Sequence, residues 1–235
     1  TFETADGLAL HGWFYDAGAD ADGKTDEEAG ENPVLLWFHG NAGDISRRDG
    51  NMEALAGRGV SFFIVDYRGY GRSEGSPSEA GLYRDGEAAM DYLVEGRGIA
   101  PERIVCFGRS LGTAVALHTG LNRPCAGLVL ESPFTSVRDV AHEILPVLPG
   151  WALVSSRYHN LGKIERLAVP LLIIHGDRDG LVPIEQGREL LRFAPEPKDM
   201  YSINEAGHND TWIVGGEAYF SRLVGFCRRC VAFGR

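Results

Sequence analysis

Hydrophobic residues in this chain fall into short, nearly continuous runs separated by polar stretches. Runs of about four to six mostly apolar residues are typical of strands buried on both faces, as in a parallel sheet covered by helices. They predict strands at Val34–Phe38, Val60–Val65, Ile104–Phe107, Gly127–Leu130 and Leu171–Ile174, with a further strand at Tyr201–Ile203.

Helical spacing of apolar residues recurs between these runs. It predicts helices at Asp49–Arg58, Glu79–Glu95, Leu111–Leu121, Glu185–Phe193 and Trp212–Cys230. Strands that alternate with helices predict an α/β fold with a mostly parallel, doubly wound sheet. Near the start of the chain, Thr1–Thr4 and Leu8–Tyr15 alternate and flank Asp6-Gly7, which predicts an antiparallel β-hairpin.

One segment, Ser132–Leu167, breaks the alternation of strands and helices. It is too long for an ordinary connection, and it is rich in proline and aromatic residues. We expect it to form a small cap, residues 132–167, within a single domain that spans residues 1–235. Its apolar residues are Phe134, Ile144, Leu145, Val147, Leu148, Trp151 and Leu153.

Composition and charge narrow the class of partner. The chain is 44% hydrophobic and 24% charged, with a net charge of −10, of which −6 lies in Asp16–Glu31. That acidic segment is expected to be a solvated loop, and an acidic chain without a basic stripe argues against nucleic acid as substrate.

No apolar run reaches the roughly 18 residues of a membrane span. Because the chain begins at Thr1, we expect residues to have been removed upstream, and a signal or anchor could be among them; a cytoplasmic location is favoured.

The four cysteines do not suggest a metal centre. Cys227 and Cys230 form an isolated C-x-x-C pair, which supplies only two of the four ligands of a structural zinc. We interpret them as two helix cysteines, with a local disulfide as the alternative.

A serine motif occurs twice. The pattern G-x-S-x-G predicts a nucleophilic serine on a sharp strand-to-helix turn, and it is present at Gly71–Gly75 and at Gly108–Gly112. Ser110 directly follows one predicted strand and directly precedes a predicted helix. Ser73 is followed by Gly75-Ser76-Pro77, which prevents a helix from starting there. The context therefore predicts Ser110 as the nucleophile and Ser73 as a loop residue.

A serine nucleophile needs a histidine base and an acid, which in this chain order both follow the serine. His208 lies in a Gly-bearing loop between the last predicted strand and the last helix, where an imidazole can reach the strand ends. Asp177 and Asp179 both follow the strand Leu171–Ile174, and position favours Asp179 without excluding Asp177. Glu131, at the end of the preceding strand, is a second-line candidate.

An oxyanion hole needs two backbone N–H donors. One is the residue after the nucleophile, Leu111. The other is expected from the loop 39–44 after the strand Val34–Phe38, with Asn41 preferred and Ala42 next. His39 is expected to anchor this loop.

Together these residues resemble the α/β-hydrolase superfamily, and the resemblance covers essentially the whole chain. Its matching segments are Asn32–Asp44, Asp66–Ser73, Gly108–Gly112, His175–Pro183 and Gly207-His208. The chain looks most similar to small, reduced-cap serine esterases and thioesterases. The family pattern H-G-x-x-D-x-x-V-P implies that Asp179 is the acid, and the family's Arg-Gly-x-Gly-x-Ser turn implies a structural role for Ser73.

The expected chemistry is hydrolysis of carboxylic esters, or of thioesters, through an acyl-enzyme, without a cofactor or metal. The expected partner is a small-molecule or acyl-chain ester. A serine peptidase or amidase is the enzymatic alternative, because the fold does not fix the substrate. A non-catalytic ligand-binding module is the alternative from another class.

Overall fold

A seven-stranded mixed sheet forms the centre of the computed structural model, which describes residues 1–18, 32–144 and 158–233. The sheet order is β3-β5-β4-β6-β7-β8-β9, with β3 antiparallel to β5 and every other neighbouring pair parallel. The strands are β3 (Gly12–Tyr15), β4 (Val34–Phe38), β5 (Ser61–Val65), β6 (Ile104–Arg109), β7 (Gly127–Glu131), β8 (Leu171–Gly176) and β9 (Lys198–Ile203).

The predicted N-terminal hairpin is present as a separate two-stranded sheet. Strand β1 (Phe2–Glu3) pairs antiparallel with β2 (Ala9–Leu10). Gly7 closes the turn with φ +80°, a conformation that glycine adopts without a steric penalty. The predicted run Leu8–Tyr15 divides after β2, because β3 leaves the hairpin and joins the main sheet.

Helices cover both faces of the sheet, as the strand–helix alternation predicts. In the described residues they are α1 (Asp49–Leu55), α2 (Glu79–Asp91), α3 (Leu111–Asn122), α4 (Val137–Ile144), α5 (Leu161–Ile164), α6 (Ile184–Phe193) and α7 (Thr211–Phe233). These elements confirm the predicted α/β class. None of the helices in this part of the chain is long and apolar enough to cross a membrane.

The core explains why the central strands consist mostly of apolar residues. Along β4, Leu36 and Phe38 belong to a core layer on one face, while Leu35 and Trp37 belong to a second layer on the other face. Since side chains alternate between the faces of a strand, a sheet covered on both sides needs apolar residues throughout.

Two helices differ from their predicted form. Helix α7 is interrupted at Gly216, whose φ of +49° and ψ of −136° are not helical. Helix α2 gives way at Tyr92–Gly96 to a π-helical turn. Both changes leave the buried faces in place, since Leu93 and Tyr219 are each almost fully buried.

Parts of two predicted segments lie outside the described residues. They are residues 19–31 of the acidic loop and residues 145–157 of the cap, which include Leu145, Val147, Leu148, Trp151 and Leu153. The described parts of the cap segment contain α4 and α5, and the cap stays a prediction.

The cysteines are free thiols in the structure. Cys227 and Cys230 are both buried on α7, and a methyl group at Gly127 would lie 2.6 Å from the Cys230 sulfur. Burial raises the pKa of Cys230 to about 12. Both cysteines therefore contribute to the packing of α7 on the sheet.

Candidate active site

Ser110 occupies a sharp turn between β6 and α3. Its φ of +51° and ψ of −119° lie in a region that favours glycine. The turn is held by the Ser110 amide, which donates to the Glu131 carbonyl at 2.9 Å, and by the Thr113 amide, which donates to the Ser110 carbonyl at 2.9 Å. A strained serine fixed in this way is a feature associated with functional sites.

The two glycines of the motif make the turn sterically feasible. A Cβ at Gly108 would overlap the Gly112 carbonyl and lie 2.7 Å from the Thr113 Cα. A Cβ at Gly112 would overlap the Phe38 carbonyl and lie 2.8 Å from the His39 carbonyl. Because β6, α3 and the end of β4 meet at this turn, neither Gly108 nor Gly112 has room for a side chain.

The structure brings Ser110, His208 and Asp179 into one hydrogen-bonded line. The Ser110 hydroxyl lies 3.0 Å from His208 Nε2, and His208 Nδ1 lies 2.7 Å from Asp179 Oδ2. A carboxylate can only accept, so His208 Nδ1 donates and Nε2 is free to accept the serine proton. This is the arrangement that a general base for the Ser110 hydroxyl requires.

Asp179 is held as a carboxylate. Its Oδ1 accepts from the Leu181 and Val182 amides at 3.0 and 2.8 Å. Burial alone would raise the pKa of Asp179, but hydrogen bonds from His175 and His208, with that from the Val182 amide, lower it well below its usual range. A carboxylate that is ionised at neutral pH next to His208 would stabilise the imidazolium that proton transfer would create.

The other acid candidates are occupied elsewhere. Asp177 is exposed, and its Oδ1 accepts from the Glu205 amide at 2.7 Å, so it tethers the loop that carries His208. Glu131 is fully buried and accepts from the Thr211 and Tyr219 hydroxyl groups. The geometry thus agrees with the preference for Asp179.

Ser73, the serine of the other G-x-S-x-G motif, has a different environment. Its hydroxyl donates to the Asp66 carbonyl at 2.7 Å and accepts from the His11 amide at 2.9 Å. Both partners are backbone groups, and they join the loop after β5 to the segment before β3. Ser73 lies in a loop, as its sequence context predicts.

The predicted oxyanion donors both border Ser110. Leu111 is the first residue of α3, so its N–H has no partner within the helix. The loop after β4 passes close to the serine, because a Cβ at Gly40 would lie 3.3 Å from the Ser110 Cβ. Asn41 lines the same cavity as Ser110, and its Oδ1 accepts from the Tyr70 hydroxyl at 2.7 Å. The role of both N–H groups as an oxyanion hole stays a prediction.

His39 anchors the start of this loop through hydrogen bonds of its side chain and its backbone. It is buried, its Nδ1 donates to the Gly40 carbonyl at 2.7 Å, and its own carbonyl accepts from the Tyr67 hydroxyl at 2.8 Å. Burial lowers the pKa of His39 to about 4, so the imidazole is neutral at pH 7.

A cavity of about 440 Å³ opens beside Ser110. Leu111, Leu181 and Val182 lie on its wall, and α2 and α4 supply further apolar side chains. The described lining residues carry no charged side chain: Asn41, Tyr70, Pro77, Ser78, Leu82, Ser110, Leu111, Phe134, Val137, Val140, Tyr158, Leu181 and Val182. A cavity of this size and lining suits a small apolar ligand group.

Two residues next to the site were not predicted from the sequence. His175 lies 3.4 Å from Asp179 Oδ2 and donates from the same Nε2 to the Val182 carbonyl at 2.8 Å, so it supports the acid. Arg109 is buried and donates to the His208 carbonyl at 2.8 Å. The sequence marks His175 only as part of the family pattern, and nothing in the sequence marks Arg109.

Comparisons with known proteins identify the family. A family model described as serine aminopeptidase, S33, matches residues 31–164, which is more than half of the chain. The chain belongs to the α/β-hydrolase superfamily. This confirms the resemblance seen in the sequence.

Relatives within the α/β-hydrolase superfamily span nearly the whole chain. An uncharacterized protein of Mycobacterium tuberculosis is 37% identical over 99% of this chain and 80% of its own length. The alpha/beta hydrolase domain-containing protein WAV2 of Arabidopsis thaliana is 32% identical over 97% of this chain and 77% of its own length.

Solved structures agree on the α/β-hydrolase fold. An esterase from Pyrococcus furiosus has a TM-score of 0.77 at 22% identity and covers 98% of this chain and 91% of its own. An esterase from Exiguobacterium antarcticum has a TM-score of 0.70 at 16% identity and covers 97% of this chain and 98% of its own. At these identities the likeness establishes the shared fold, and the family supports a hydrolase.

Proposed function

We propose that this chain is a serine carboxylesterase that hydrolyses esters of uncharged, apolar acyl groups through an acyl-enzyme on Ser110. The observation that carries the proposal is the position of the apolar cavity. Ser110 lines this cavity, and the Ser110 hydroxyl lies at one end of the hydrogen-bonded line through His208 to Asp179.

In the proposed reaction, Ser110 Oγ attacks the ester carbonyl while His208 Nε2 takes the hydroxyl proton. The negative charge that develops on the carbonyl oxygen is held by the N–H groups of Leu111 and Asn41. His208 then returns its proton to the departing alcohol, which leaves the acyl group on Ser110. A water molecule, deprotonated by His208, attacks this ester and releases the carboxylic acid.

The cavity favours an ester over an aminopeptidase substrate. An aminopeptidase has to hold the charged α-ammonium group of its substrate, and a buried ammonium group needs a carboxylate or an equivalent partner. None of the described lining residues carries a negative charge. An aliphatic acyl chain needs no such partner, and its transfer from water to the apolar wall is favourable by about 0.8 kcal/mol per CH₂ group.

The first experiment tests the nucleophile. Labelling with a fluorophosphonate probe is expected to modify Ser110, and Ser110→Ala is expected to abolish both labelling and hydrolysis of p-nitrophenyl butyrate. Ser73→Ala is the matched control, because it removes the serine of the same motif without touching the site, and it is expected to be labelled. Hydrolysis retained by folded Ser110→Ala would refute the assignment, and a wild-type chain without labelling would favour a ligand-binding module.

The second experiment tests the substrate class. Turnover of p-nitrophenyl esters of increasing acyl length is compared with that of acyl thioesters and of aminoacyl-p-nitroanilides. Esters are expected to give the highest kcat/KM among ester, thioester and amide of one acyl group. A higher kcat/KM for the aminoacyl amides would overturn the ester proposal in favour of a peptidase.

A further inference from the structure

We propose that Arg109 is a positioning residue that holds the loop of His208 at its working distance from Ser110, and that Glu131 orients Arg109 for this task. The inference rests on the proposed function, in which Ser110 and His208 act as nucleophile and base.

The contacts of Arg109 lead directly to the base. Its guanidinium donates through Nη2 to the His208 carbonyl at 2.8 Å and to Asn209 Oδ1 at 3.2 Å. The Arg109 side chain is only 8% exposed. Hydrogen bonds from a charged donor in a buried setting are among the stronger ones, so this contact restrains the backbone of His208 itself.

Glu131 lies beside Arg109 Nε, which makes no hydrogen bond to a described residue, and acts on the guanidinium as an ion-pair partner. Its Oε1 lies 3.4 Å from Arg109 Nε. The same carboxylate accepts hydrogen bonds from two hydroxyl groups of α7. They belong to Thr211, at the start of the helix, and to Tyr219, whose hydroxyl lies 2.7 Å away. A buried carboxylate with these partners gives Arg109 a fixed counter-charge and links it to the helix that begins after the His208 loop.

The opposite side of the loop is held by Asp177 and Arg178, which directly follow β8. The Arg178 amide donates to the Ala206 carbonyl at 2.9 Å, and the Glu205 amide donates to Asp177 at 2.7 Å. The loop of His208 is therefore restrained from two directions. The restraint from β8 sets its distance to Asp179, and the restraint from Arg109 sets its distance to Ser110.

The position of Arg109 in the chain makes this second restraint effective. Arg109 directly precedes Ser110, so one short backbone segment carries both the hydroxyl group and the contact to the base. A displacement of about 1 Å between reacting groups can lower the rate about 10²-fold.

The test is Arg109→Lys. Two different nitrogens of the guanidinium contact Glu131 and His208, and a single ammonium cannot replace both. Lysine keeps the positive charge beside Glu131, which limits damage to the fold. We expect kcat for p-nitrophenyl butyrate to fall about 10²-fold while KM changes less than about threefold. The matched control is Arg188→Lys, which makes the same exchange at an exposed arginine of α6 and is expected to leave kcat unchanged.

A second variant and a spectroscopic measurement keep the test decisive if Arg109→Lys does not fold. Glu131→Gln is nearly isosteric and is expected to lower kcat about tenfold with little change in KM. In ¹H NMR, the low-field proton on His208 Nδ1 is expected to be sharp in the wild type and broadened in either variant. A folded Arg109→Lys or Glu131→Gln with wild-type kcat and an unchanged proton signal would overturn the inference.

This measurement also separates the two proposals. The Nδ1 proton signal needs no substrate, so it reports on Arg109 even if no ester is turned over. Absence of wild-type ester hydrolysis would refute the proposed function, whereas wild-type hydrolysis with an unaffected Arg109→Lys would refute only the positioning role.

Discussion

The hydrogen bonds of Asp179 predict how Asp179→Asn would fail. In the wild type, Oδ1 accepts from two backbone amides at 3.0 and 2.8 Å, and Oδ2 accepts from His208 Nδ1 at 2.7 Å. An asparagine has one acceptor oxygen, and two backbone N–H groups compete for it against the His208 imidazole at 2.7 Å and the more distant His175 imidazole at 3.4 Å. The amide oxygen is therefore expected to face the backbone, which turns the NH₂ group toward His208.

That orientation reverses the imidazole. Facing a donor, His208 Nδ1 has to accept, so its proton moves to Nε2 and points at Ser110. An Nε2 that already carries a proton cannot take the serine proton, and the change of tautomer is expected to lower kcat about 10⁴-fold. The loss corresponds to about 5 kcal/mol in the activation free energy, since a tenfold change in rate corresponds to about 1.4 kcal/mol.

The assay is kcat for p-nitrophenyl butyrate, with thermal unfolding followed by circular dichroism to confirm the fold. Asp177→Asn is the matched control, because its amide oxygen can still accept from Glu205, and it is expected to retain wild-type kcat. If Asp177→Asn were inactive and folded Asp179→Asn active, the acid would be Asp177 and the reasoning from hydrogen bonds would be wrong.

Three further predictions concern packing, pH and specificity. Gly112→Ala is expected to displace the start of α3 and lower kcat about 10²-fold. Gly120→Ala on the same helix has room for the new methyl group, whose nearest contact would be 3.5 Å away, and is expected to raise the free energy of unfolding by up to about 1 kcal/mol. Both variants are measured by urea unfolding and by kcat, and equal effects of the two would contradict the packing argument. His39 is neutral in the fold but gains a proton in the unfolded chain below about pH 6.5, so the free energy of unfolding is expected to fall by about 3 kcal/mol as the pH drops to 4. His39→Asn is expected to flatten this pH dependence in urea unfolding, and identical slopes of unfolding free energy against pH in wild type and variant would rule this out. Val140→Trp narrows the cavity, so kcat/KM is expected to fall for long p-nitrophenyl esters and stay constant for the acetate; a uniform loss would place Val140 outside the acyl path.

The sequence was sufficient for the parts of the fold that depend on periodicity. The apolar runs that predict β4 and β5 fall within one residue of the observed strands, because burial on both faces makes these strands almost entirely apolar. The interruption of α7 at Gly216 was missed, although the Gly215-Gly216 pair was a signal for it.

The candidate site likewise contains residues that local sequence patterns predict and residues that only three-dimensional contacts reveal. Ser110 and His208 were predicted because strand–turn–helix context and chain order are visible in one dimension. Chain position left Asp177 and Asp179 open, because the choice depends on which carboxylate meets an imidazole and which meets the Glu205 amide, and only the resemblance to the family pattern implied Asp179. Arg109 could not have been predicted, since a buried arginine has the same appearance in a sequence as a solvated one.

The left-handed backbone of Ser110 has a consequence for how this chain could change over time. A serine at φ +51° is strained by about 1–3 kcal/mol relative to a glycine, so Ser110→Gly is expected to raise the free energy of unfolding while removing the proposed nucleophile. Selection for stability alone would thus favour replacing Ser110. As the proposed nucleophile, Ser110 would be kept by selection for its reaction against the preference of the backbone, and a descendant freed from that reaction would be expected to lose this residue early.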